Sequence, residues 1–123
     1  MDLENIKNNL KKIFEGRLNR KPYIIRSVVL WVVMYTIYLV MQSYMGDDGM
    51  PIANFLILPL LIVAIALTVR RLHDLNFSGW WAFLLLVFSV HQIAQYIVLL
   101  MLSILFVIKG SEGTNLYGKD PLQ

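Results

Sequence analysis

The chain contains no cysteine. Disulfides, zinc–thiolate centres and thiol nucleophiles are therefore excluded. Charge is scarce: Asp, Glu, Lys and Arg make up 15% of the 123 residues, against roughly a quarter in ordinary soluble domains. Only two histidines occur, His73 and His91. A metal site built on them would need further ligands that the apolar stretches do not offer. There is no His-Glu-x-x-His and no Gly-x-Ser-x-Gly. The expectation is a chain that is not an enzyme and holds no metal or cofactor. What the chain has in plenty is apolar: 58% hydrophobic residues and a mean hydropathy of +0.62. A disordered chain needs the opposite balance, and the length allows one domain. Residues 1–123 therefore read as a single all-α, polytopic membrane domain.

The apolar residues fall in three blocks, 24–45, 51–69 and 80–108. The first, Ile24 to Met45, carries one charge, Arg26, near its start. At 1.5 Å per residue it reaches roughly 33 Å, enough for a bilayer core of about 30 Å. Its leader is too long and its apolar run too extended for a cleavable signal peptide. Arg26 can snorkel back to the interface. The second block is uncharged, and Pro59 within it frees the carbonyl of Phe55.

Positive charges set the expected orientation. Residues 1–22 hold Lys7, Lys11, Lys12, Arg17, Arg20 and Lys21; the loop after the first block holds Asp47 and Asp48; the next loop holds Arg70 and Arg71. Lysine and arginine favour the cytoplasmic side. The N-terminus and the Arg-Arg loop are thus expected inside and the acidic loop outside. The net charge of +3 then reflects topology, and no basic soluble face is left for nucleic acid.

The block 80–108 has two readings. As one helix it is about 43 Å long, giving three spans and an outside C-terminus. As a hairpin turning at His91–Gln95 it gives four segments and gathers every lysine and arginine inside. No Pro or Gly marks a turn there, and half-length spans leave backbone groups poorly satisfied in lipid. The single helix is therefore the expected form.

Leu3, Ile6, Leu10, Ile13 and Phe14 recur at helical spacing with Lys7, Lys11 and Lys12 between them. Residues 1–22 thus contain a basic amphipathic helix. It lies either on the anionic leaflet or on the protein's own loops. The tail, 109–123, is rich in Gly and Pro and reads as turns. Mid-membrane polar groups usually face the protein interior, so Asn54, His91, Gln92 and Gln95 are candidates for interhelical hydrogen bonds or for a polar path, with Gln42 a further partner. No carboxylate accompanies them in any block.

The densest charged cluster is Arg70-Arg71-Leu72-His73-Asp74. It reads as a binding surface or as an anchor at a helix end. Arg70 and Asp74 are four apart and can pair on a helix. His73 and Asp74 point about 100° apart there and cannot form an oriented pair. Ser78 is suited to cap the next helix, and Trp80 and Trp81 to sit at headgroup level.

Three segments together resemble the YhaH/YhaI-like small bacterial inner-membrane proteins, the domain of unknown function 805. They are Phe14-Glu15-Gly16-Arg17-Leu18-Asn19-Arg20 with Tyr23; Arg70-Arg71-Leu72-His73-Asp74 with Ser78-Gly79-Trp80-Trp81; and Gly110, Gly113, Asn115, Tyr117, Gly118, Asp120 and Pro121. Pro22, Ile24, Leu116 and Lys119 depart from that pattern. So does His91 to Gln95, which stands where the family commonly has a Pro and a Gly. The resemblance implies a bacterial cytoplasmic-membrane location and no particular activity.

Three functions follow. The leading one is a non-enzymatic membrane protein, in the bilayer and a candidate for self-association, that captures a partner protein or anionic lipid at its cytoplasmic face through Arg17, Arg20, Arg70, Arg71, His73 and Asp74, with Ser78, Gly79, Trp80 and Trp81 alongside. The second is a subunit of a transport oligomer with His91, Gln92, Gln95 and Asn54 lining a path. The third, an enzyme with His73 as base, lacks a visible nucleophile or metal.

Overall fold

The computed structural model describes residues 2–89 and 91–123. Its helices are α1 (Leu3–Phe14), α2 (Arg20–Met45), α3 (Met50–Asp74), α4 (Trp80–Phe88) and α5 (Gln92–Val107), with a short 3-10 turn at Gly46–Gly49. No strand occurs among the described residues. One isolated antiparallel bridge joins Asn115 and Gly118 in the tail.

The stretch Arg20–Asp74 is long and apolar enough to cross a membrane, and the turn folds it into an antiparallel hairpin of α2 and α3. Each arm is roughly 38 Å long at 1.5 Å per residue. Asn19 starts α2, its side-chain oxygen accepting the Arg20 N–H at 2.6 Å. Pro22 sits in the first turn, where a missing N–H costs nothing. At the reversal the chain comes very close to itself. A Cβ on Gly49 would lie 2.5 Å from the carbonyl oxygen of Met41, so only glycine permits the turn. At the opposite end the hydroxyls of Tyr23 and Thr68 are 3.4 Å apart, which fixes the register of the arms.

The expected continuous helix over 80–108 does not form. α4 ends at Phe88 and α5 begins at Gln92; Val90 lies outside the described residues. The break needs neither Pro nor Gly, because side chains take over the backbone partners. The Ser89 hydroxyl donates to the Leu86 carbonyl at 2.6 Å, and Gln95 Nε2 donates to the Ser89 carbonyl at 2.9 Å. His91, in extended conformation, precedes α5, and its carbonyl accepts the Gln95 N–H at 3.0 Å. At the other end of α5, Arg71 Nε donates to the Leu105 carbonyl at 3.0 Å and Arg71 Nη2 to that of Ile108. Arg20 Nη1 donates to the Val107 carbonyl at 3.1 Å. The expectation of one helix rested on stranded backbone groups; these side chains remove that objection.

α4 starts beside the end of α3, and α5 finishes on Arg71. The block therefore runs out and returns to one end of the bundle. With nine and 16 residues, its arms reach roughly 13 and 24 Å, well short of the α2–α3 hairpin. The buried core is small and sits at the same end. It joins Leu18, Tyr23, Leu67, Leu72, Ala82 and Leu105. Beyond it, side chains such as Val32, Phe55 and Leu100 face outward. Such a surface is at home in lipid, where no hydrophobic force drives helices together. α1 contributes no buried residue.

The return of α5 makes a direct prediction. Reporters fused to the N-terminus and to the C-terminus should lie on the same side of the membrane. Opposite readings would require 80–108 to cross once.

Candidate functional site

At the end of the bundle where the core lies, one carboxylate is shared by two guanidinium groups. Asp74 is 2% exposed, Arg71 0% and Arg17 7%. Arg17 approaches Asp74 Oδ1 through Nε at 3.1 Å and Nη2 at 3.0 Å. Arg71 Nη1 takes the other oxygen, Oδ2. The remaining guanidinium donors find backbone carbonyls. Arg17 donates to Ser111 and Gly113, and Arg71 to Leu105 and Ile108. Buried charges are tolerated only with such full sets of partners.

Three distant segments are thereby clasped together. The loop after α1 brings Arg17, and the Leu18 N–H donates to the Arg70 carbonyl at 3.0 Å. The last turn of α3 brings Arg71 and Asp74. The tail closes over them. The N–H and hydroxyl of Ser111 both donate to the Asp74 carbonyl at 2.8 Å, and Asn115 Nδ2 donates to that of His73 at 2.8 Å. Gly110 passes so near that a Cβ there would overlap Asp74 Oδ2. Any other residue would push the carboxylate off its arginines.

The tail has its own small lock. Asp120 accepts the N–H groups of Gly113 and Leu122, each at 2.9 Å. Those two bonds, Leu122 first, hold its carboxyl below the usual aspartate range, and Arg17 and Lys109 lower it further.

His73 lies outside the clasp. Its ring stacks on Tyr117, centroids 4.0 Å apart and 5° from parallel, and Nδ1 sits 3.2 Å from the Gly16 carbonyl. A carbonyl can only accept, so Nδ1 carries the hydrogen. Gly79 packs against Val69 and His73 and occupies the cap position of α4, one residue later than the expected Ser78. Ser78 Oγ accepts only a long 3.4 Å contact from the Trp80 N–H. Trp80 and Trp81 project outward and are exposed.

The expected Arg70–Asp74 pair is absent. About 100° per residue turns Arg71, three before Asp74, onto the side that meets α5. Arg70 is left with a buried Nε that has no acceptor among the described residues. Arg20 is exposed. The polar residues of the apolar blocks are not brought together. Asn54, His91 and Gln92 are exposed, and only Gln95 lines the central cavity. No group of His, Asp or Glu suited to a metal occurs among the described residues. Residue patterns missed the hydroxyls of Tyr23, Ser27 and Thr68, which line that cavity. The one signal was their spacing: Tyr23 and Ser27 are one turn apart on α2.

The clasp draws on residues 17, 71, 74 and 110–120, and the chain matches a family described as "Protein of unknown function (DUF805)" over residues 13–119. It belongs to the DUF805 family. It is 33% identical over 108 residues to the inner membrane protein YhaI of Escherichia coli (strain K12), covering 88% of this chain and 85% of that protein. It is 33% identical over 127 residues to the uncharacterized protein YiiR of the same organism, covering 87% and 84%. No solved structure matches. This DUF805 chain is thus a helical protein of the bacterial inner membrane. The family match begins past most of α1.

Asp74→Asn should cost about 3–5 kcal/mol, because it leaves two buried cations uncompensated. Arg70→Gln, which removes an unsatisfied donor, should be neutral or stabilising. Thermal unfolding in detergent compares the two; equal losses would contradict the asymmetry of the clasp. The depressed Asp120 carboxyl works in the opposite direction to a basic group: its contribution is complete above the ordinary aspartate range and is lost as pH falls through its lower folded value. The protection of the Gly113 amide, relative to its intrinsic exchange rate, should therefore hold through the ordinary aspartate range, about pH 4, and fall only below it. In Asp120→Asn the protection of the Gly113 amide should be lower and should not depend on pH in this range.

Proposed function

We propose that this protein is a non-enzymatic inner-membrane protein that binds anionic lipid headgroups at its basic, cytoplasmic end. One observation carries the reading: of the two neighbouring arginines, Arg71 is buried and engaged, whereas the half-buried Arg70 side chain has no acceptor among the described residues. A phosphate oxygen is the acceptor that a guanidinium at a membrane surface meets most readily. α1 supports it from the side. It is amphipathic, has no fully buried residue, and carries Lys7, Lys11 and Lys12. Its apolar face, Leu3, Ile6, Leu10 and Ile13, is exposed, as suits a helix lying in the interface with its lysines at the headgroups.

Arg17, Arg71 and Asp74 have a different part in this reading. Their donors and acceptors are all committed to one another and to the backbone, so they build the face and do not touch the lipid. Capture of a partner protein through those three would first require the clasp to open. A transport path has less behind it, since Asn54, His91 and Gln92 do not converge on the cavity.

The test is lipid retention in nanodiscs of phosphatidylethanolamine with and without phosphatidylglycerol, read by native mass spectrometry. Wild type should keep phosphatidylglycerol selectively. Each cation near the surface is worth about 1 kcal/mol, so Arg70→Gln and Lys7→Gln/Lys11→Gln/Lys12→Gln should each reduce that selectivity several-fold. Unchanged selectivity in the combined variant would end the proposal.

A further inference from the structure

The cavity enclosed by α2, α3, α4 and α5 is untouched by that reading. It holds about 450 Å³, within the roughly 300–1,000 Å³ of small-molecule sites. Its two ends differ. Beside the clasp it is closed, because Tyr23, Ser27 and Ala82 there are buried. At the other end it is lined by Trp31, Gln95 and Leu99, all exposed. α4 stops at Phe88, and the α4–α5 pair reaches only partway along the longer hairpin. The cavity is thus blind at the basic end and open between α2 and α5 near the middle of the bundle.

The blind end has a definite chemistry. Thr68 Oγ1 donates to the Ala64 carbonyl at 3.0 Å, so its hydrogen is committed. Tyr23 must then be the donor in its contact with Thr68, and that contact is 3.4 Å long. Good O–H···O bonds are about 2.5–3.0 Å, so the Tyr23 hydroxyl is free to turn to a nearer acceptor. Ser27, one turn further on the same face, adds a second hydroxyl. The rest of the lining is mainly apolar, and no charged side chain lines the cavity.

We propose that this cavity binds an uncharged, membrane-dissolved molecule with a small carbonyl head and a long hydrocarbon tail. The head accepts from Tyr23 and Ser27, and the tail leaves past Trp31 and Leu99 into the bilayer core. An ionised head would be buried there without a counterion, which is costly. A carbonyl asks only for the donors that the blind end supplies. The open end faces hydrocarbon, where a tail continues its own surroundings, and an empty apolar cavity forfeits those contacts. Isoprenoid quinones and diacylglycerols share this chemistry.

The full-length protein in nanodiscs would be titrated with a short-tailed ubiquinone analogue, with dioleoylglycerol and with palmitate, bound ligand being counted by native mass spectrometry. The quinone or the diacylglycerol should be retained, and palmitate should not. Retention of one names the source; retention of both supports the shared carbonyl head. Tyr23→Phe, which keeps the ring, should weaken binding roughly two- to tenfold, the loss of one hydrogen bond. Ser27→Ala should act in the same direction, and Ala64→Phe should exclude the ligand by filling its space. His91→Ala and Arg70→Gln should leave this binding unchanged, which separates it from headgroup capture. The proposal is overturned if neither neutral ligand is retained, if palmitate binds as well as they do, or if Tyr23→Phe binds like wild type with an unaltered melting temperature.

Discussion

The carboxylate of Asp74 is the point on which this molecule turns. Each of its oxygens receives a different guanidinium, one from the loop before α2 and one from its own helix. Both arginines go on to backbone carbonyls of α5 and the tail. A buried ion pair of this kind is not a large net source of stability, since desolvation consumes most of the attraction. Its value lies in specificity: with every donor assigned, only one arrangement of the three segments leaves no charge unpaired. That arrangement sets where α5 ends, and so how far the α4–α5 pair reaches and where the central cavity closes.

Much of the architecture was legible in the sequence, because long apolar runs and helical spacing are strong signals. The helices α2 and α3 fall on the first two apolar blocks, and α1 falls where helical spacing puts it. The misreadings have specific physical causes. The break between α4 and α5 carries no Pro or Gly. It depends on Gln95 reaching back to the Ser89 carbonyl, a substitution of side chain for backbone that composition does not reveal. Arg70 and Arg71 are the same residue type in adjacent positions, and only the rotation of α3 against α5 decides which is buried. Arg17 looked like a surface cation because its acceptors, Ser111 and Gly113, lie more than 90 residues away in the chain. Gly110 belonged visibly to a turn, but that it must lie against a carboxylate follows from the closed tertiary structure alone.

Membership of the DUF805 family places this chain in the inner membrane beside relatives whose names state no activity. The geometry divides its polar residues by task. Arg17, Arg71 and Asp74 hold the chain together; the lysines of α1 stay exposed; Tyr23, Ser27 and Thr68 give a mainly apolar cavity one polar end. Because the clasp and the cavity share the wall around Tyr23, the first constrains the second without entering it.

The closing tail also imposes an order of events on biosynthesis. Arg17, Arg71 and Asp74 are made before Leu105, Ile108, Ser111 and Gly113, which complete the bonding of the two arginines and, through Ser111, of Asp74. Until then the two arginines and the aspartate must stay hydrated at the membrane surface. The α2–α3 hairpin therefore precedes the residues that close the clasp, and only once residues 105–113 have joined it can the clasp dry.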